Sequence, residues 1–101
     1  ISILKIRGYK MPKVKNLNNT SDRIPSTGNS WRQFWEDKSG KKIDKCRRRG
    51  CTEKATDGAH VIKADSDDRH WYIVPLCHKC NMKPSSEEFY VDEEDLVPVR
   101  D

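Results

Sequence analysis

Cysteines fall in this chain as two close pairs, Cys46-x4-Cys51 and Cys77-x2-Cys80, with a β-prone stretch between them. A pair separated by two to four residues can present two thiolates to one ion from a single turn, and two such pairs complete a tetrahedral set. Gly50 lets the first turn tighten, and Lys45, Arg47, Arg48 and Arg49 favour the thiolate forms of the sulfurs beside them. The expectation is one structural zinc ion on Cys46, Cys51, Cys77 and Cys80, with every position filled by protein and none left for water. His78 lies within the second pair and is expected next to the metal or on the surface, since four sulfurs already satisfy the ion. Two disulfides in a secreted domain are the other arrangement open to four cysteines.

Composition says why such a staple is needed. The 101 residues fit one small domain, and only 34% are hydrophobic against 36% charged. A core that thin usually relies on a disulfide, a metal or a partner. Residues 1–10 carry Lys5, Arg7 and Lys10 but no long apolar stretch and no small-residue cleavage site, so they do not read as a signal peptide. Met11-Pro12 reads as a candidate natural start, and no function is placed on residues 1–10. No run approaches the roughly 20 apolar residues that cross a membrane. A cytoplasmic, reducing setting with no membrane partner is the expectation, and there cysteine clusters are read as metal sites first.

Charge is unevenly placed. Residues 41–54 hold seven basic side chains against two acidic ones, and residues 87–101 hold seven acidic against one arginine. A basic segment can bind phosphates, and an acidic run reads as a solvated or interacting tail. Residues 1–29 are polar and broken by Asn16, Asn18, Asn19, Pro25 and Gly28, which predicts an arm that is extended or disordered until it packs on something. The folded domain is therefore expected over 30–101. Ser30 to Gln33 fits a capping box, Trp31, Phe34 and Trp35 recur at helical spacing, and Ser39-Gly40 ends the helix. Those three aromatics are read as core, although exposed tryptophans can also stack on bases. Strands are expected at about 57–64 and 70–76 with the Asp-rich turn 65–68 between them, then a short helix over 79–83 stopped by Pro84. Phe89-Tyr90-Val91 and Leu96-Val97-Pro98-Val99 are read as edge strands or docking segments.

The segment between the cysteine pairs reads Asp57-Gly58-Ala59-His60-Val61-Ile62, then Trp71-Tyr72-Ile73-Val74-Pro75-Leu76-Cys77-His78-Lys79-Cys80-Asn81. Over residues 46–83 it resembles the HNH family of nucleases, whose ββα-metal core often carries a zinc held by two cysteine pairs. The resemblance implies an α+β fold: a small zinc-stabilised ββα-metal core, preceded here by the helix at Ser30 and the N-terminal arm. It implies a metal-dependent endonuclease acting on nucleic acid, DNA in the leading reading. His60 would be the general base. Asn81, with Asp57 as a candidate second ligand, would hold a catalytic Mg²⁺ or Mn²⁺ on hard oxygens. Lys45, Arg47, Arg48 and Arg49 would hold the backbone phosphates. The sequence departs from the family where Ala59 replaces the acidic residue before the histidine and Tyr72 falls at the middle asparagine. Two other readings stay open: a non-catalytic zinc module that binds nucleic acid through its arginines, and a protein-interaction module that uses the acidic tail or the aromatic helix.

Overall fold

In chain order the protein forms β1 (Lys13–Asn16), α1 (Trp31–Ser39), β2 (Asp57–Lys63), β3 (Tyr72–Leu76), α2 (His78–Asn81), β4 (Phe89–Tyr90), a 3-10 turn (Glu93–Asp95) and β5 (Val97–Pro98). These elements come from a computed structural model, which describes residues 11–17, 30–64 and 67–99. The rest of the expected arm and the first half of the Asp-rich turn lie outside the described residues.

The predicted hairpin is the centre of the molecule. β2 and β3 pair antiparallel, with Asp57 opposite Leu76 and Val61 opposite Tyr72. Both strands are apolar on consecutive residues because both faces of the sheet are covered. The hairpin does not stand alone. It lies within a five-stranded antiparallel sheet of order β4-β1-β2-β3-β5. Residues 13–16 of the expected arm thus form an interior strand, with Val14 and Asn16 buried. The two C-terminal segments read as edges take the edge positions. Each is two residues long and β5 contains Pro98, both features that suit an edge.

On one face lies α1. Ser30 caps it, its Oγ accepting the Gln33 backbone N–H at 3.2 Å, and Gly40 ends it in a left-handed conformation at φ 74°. Only half of the capping box forms, because the Gln33 side chain donates forward to Asp37 at 2.9 Å. Phe34 and Trp35 are buried against Ile73 and Val97, and Trp31 is half-buried beside them. The aromatic face of the helix is therefore core. The helix start crosses β2 at Gly58, where an added Cβ would lie 2.6 Å from the Trp31 carbonyl carbon.

The other face carries the cysteines, packed with Val14, Ala59, Val61, Val74, Leu76, Phe89, Val91 and Leu96. The molecule is thus a small α+β fold with one apolar layer on each side of its sheet. Among the described residues no helix is long and apolar enough to cross a membrane.

Candidate metal centre

Local hydrogen bonds shape both cysteine turns. In the first, Lys45 and Lys54 form an antiparallel bridge, and the Cys46 N–H donates to the Glu53 carbonyl at 2.8 Å. The turn closes with the Cys51 N–H on the Arg48 carbonyl at 3.0 Å, and Gly50 takes a φ of 90° that a side chain would resist. An N–H from Arg47 to the Pro75 carbonyl, 2.9 Å, ties this turn to β3. In the second, Cys77 leaves β3 and its carbonyl accepts the Asn81 N–H at 2.9 Å, so α2 begins on the cysteine itself.

These turns bring all four sulfurs within 4.8 Å of one another, and Cys51 Sγ lies 3.9 Å from the sulfurs of both Cys77 and Cys80. A tetrahedral shell of sulfurs about 2.3 Å from an ion needs sulfur–sulfur separations of about 3.8 Å. A disulfide needs about 2.05 Å, and all four cysteines are free. The arrangement therefore fits one metal ion such as zinc and not two disulfides. Burial pushes the Cys46 thiol up to about 12, against the opposing amides of Cys77 and Arg48. Burial and the Cys77 thiol also raise Cys80, whereas at Cys77 burial is outweighed by the Cys80 amide and the neighbouring thiols, which lower it. Binding a metal ion would require these thiols to give up their protons.

The other predicted site residues separate onto two sides of the sheet. Asp57 and Asn81 come together on the cysteine side, where the Asn81 amide donates to Asp57 Oδ2 at 2.8 Å. His78 is exposed, outside the thiol cluster, with its Nδ1 3.1 Å from the same oxygen. Burial raises the Asp57 carboxyl, but hydrogen bonds from Asn81, His78 and Thr56 outweigh it and hold the group below its ordinary value. His60 is elsewhere. It sits inside β2, opposite Ile73 on the α1 side, and the strand runs three residues past it. Its ring is buried edge-on between Trp31 and Trp71, with centroids 4.5 and 5.7 Å away.

Of the basic residues, Arg47 lies over the Trp35 ring at 5.7 Å and pairs with Asp44 at 3.1 Å and Asp95 at 3.9 Å. Arg49 pairs with Asp92 at 3.4 Å, and Arg48 faces Glu87. The acidic segment thus folds against the basic turn. Asp95 is only 3% exposed, its carboxyl raised by burial against the pull of Arg47 and Lys41. Lys45 is exposed and faces Lys54, also exposed, across the bridge; its charge is felt at Asp44, and among the described residues neither lysine is in an ion pair. Sequence reasoning grouped Lys45 with the arginines and did not single out Lys54, because the bridge that joins them spans the first cysteine turn. It also gave no role to Asn16, which contacts the carbonyl of Cys80.

The chain matches no protein-family model, no curated protein and no solved structure.

Proposed function

We propose that this protein is a zinc-stabilised module that binds nucleic acid through its phosphates, with its contact surface beside the metal turn. The observation that carries this reading is the pairing of Lys45 with Lys54. Two like charges set directly opposite destabilise each other, and here both are exposed; the Lys45 charge is felt at Asp44, but among the described residues neither lysine is in an ion pair. A phosphate oxygen is the counter-charge such a pair accepts, and the metal turn fixes its position. Arg49, half-exposed beside Asp92, can add a contact, whereas Arg47, half-buried, is engaged by Trp35, Asp44 and Asp95. Zinc is the metal because four thiolates make a soft, closed, tetrahedral set.

A second reading, an HNH-like endonuclease using Mg²⁺ or Mn²⁺, is favoured by one observation: the convergence of Asp57 and Asn81. The position of His60 weighs against it, since a general base must reach the attacking water. That ring is buried between tryptophans, on the other face of the sheet from Asp57.

Both readings are tested by titrating labelled duplex DNA, single-stranded DNA and RNA with zinc-loaded protein at several salt concentrations, beside the Lys45→Glu/Lys54→Glu variant. Binding is expected to weaken linearly in log–log form, and losing two phosphate contacts lowers the duplex slope by about two. A wild type that does not bind, or a variant with an unchanged slope, contradicts the binding surface. Metal-dependent nicking of plasmid that is lost in Asp57→Ala would replace the first reading with the second.

A further inference from the structure

Asn16 is the one uncharged polar side chain, other than histidine, in the buried set of the described residues, with 1% of its surface exposed. Its own segment gives no reason for a buried amide, as its neighbours in β1 are Lys13, Val14 and Lys15. The reason lies at the far end of the chain. Asn16 Nδ2 donates to the carbonyl of Cys80 at 2.9 Å and to that of Lys83 at 3.0 Å. Cys80 lies in α2, and Lys83 lies just past its C-cap at Met82. α2 spans four residues, and a single helical turn does not persist unaided. The last carbonyls of any helix also lack partners within it. The Cys80 carbonyl accepts the Lys83 N–H at 3.3 Å, and the amide adds a shorter bond there and one to the Lys83 carbonyl; because both neighbours are acceptors only one orientation of the amide fits.

We propose that Asn16 is a positioning residue for the metal centre. It holds the peptide that follows the Cys80 thiol and so couples the docking of β1 to metal affinity. This rests on the reading of the four cysteines as metal ligands. The coupling is chemical rather than a matter of packing: a side chain of the same size without donors would fill the space but remove the amide's bonds to both carbonyls, leaving Cys80 only its longer 3.3 Å bond from the Lys83 N–H. Outer partners of metal ligands typically change affinity about 10- to 100-fold when removed. The linkage is reciprocal, so metal binding in turn secures β1.

The test uses the full chain as wild type, Asn16→Leu and Val14→Ala. Val14 lies in the same strand and packs against the same cluster, so its truncation reports general destabilisation. Co²⁺ spectra and chelator-driven Zn²⁺ release are read for each, with urea midpoints alongside. Asn16→Leu is expected to speed metal release by at least about tenfold and to shift the cobalt d–d bands. Val14→Ala is expected to lower the urea midpoint with the cobalt spectrum unchanged. If Asn16→Leu does not fold with excess metal, Asn16→Ser carries the same test in the same direction. Unchanged release and spectrum in the Asn16 variant, or the same changes in Val14→Ala, overturn the proposal. A wild type that binds no Co²⁺ would instead overturn the metal reading beneath it.

Discussion

Asp57 and His60 are three residues apart on one unbroken strand, an odd spacing that sends their side chains to opposite faces of the sheet. Placing both in one reactive centre needs a strand that bends between them, and the ladder from Asp57 to Val61 is continuous. The histidine does a different job, filling the gap between two tryptophan edges. Asp68 shows how a residue that carries no proposed function still shapes the fold. Its carboxyl accepts from the Tyr72 hydroxyl, and from the His70 N–H at 2.9 Å with the ring Nδ1 at 2.8 Å. Those bonds, led by Tyr72, hold the group well below its ordinary 3.8. The folded value lies under the unfolded one, so the stability Asp68 contributes is present above about pH 4 and lost as pH falls further. Asp68→Asn is therefore expected to have a lower urea midpoint than wild type at pH 7, with the gap closing below about pH 4. A gap that stays constant with pH would show that the charge contributes nothing.

At the scale of elements, the close crossing of α1 over β2 is the most sensitive contact. A Cβ at Gly58 would meet the Trp31 carbonyl carbon at 2.6 Å and the Arg32 nitrogen at 2.7 Å, both main-chain atoms that cannot swing aside. Gly58→Ala must push the helix away from the sheet and is expected to cost about 1–3 kcal/mol, read as a lowered urea midpoint. A variant as stable as wild type would mean that the helix start is loosely held. The hairpin and α1 were legible in the sequence because each has a periodic apolar pattern bounded by a turn or a cap. β1 was not legible. Lys13-Val14-Lys15-Asn16 shows only one apolar residue, and its burial depends on partners far along the chain, Val61 and Phe89 among them. The cysteine set was legible from spacing alone. Its support by Asn16 was hidden, since no local pattern marks a hydrogen bond spanning 64 residues.

Across the whole molecule, the uneven charge seen in the sequence becomes an internal pairing. Lys41 and Arg47 meet Asp95, Arg49 meets Asp92, Lys63 meets Glu93 and Lys83 meets Glu87. The exposed pairs are each worth about 0–1 kcal/mol, so they orient the C-terminal segment more than they stabilise it. The apolar layers are divided between the two faces of the sheet, and the cysteine face has four buried or half-buried thiols at its centre. A structural zinc ion contributes about 10–16 kcal/mol of binding free energy, as much as the entire stability of an ordinary domain, about 5–15 kcal/mol. On the reading of the four cysteines as zinc ligands, the metal is expected to decide whether this fold is stable, and the surface proposed for nucleic acid depends on it. Zinc-edge X-ray absorption of the protein as purified tests that claim most directly. The expected result is one zinc per chain with four sulfurs at about 2.3 Å and no lighter scatterer in the first shell; a shell mixed with nitrogen or oxygen, or a folded chain with no metal, would contradict it.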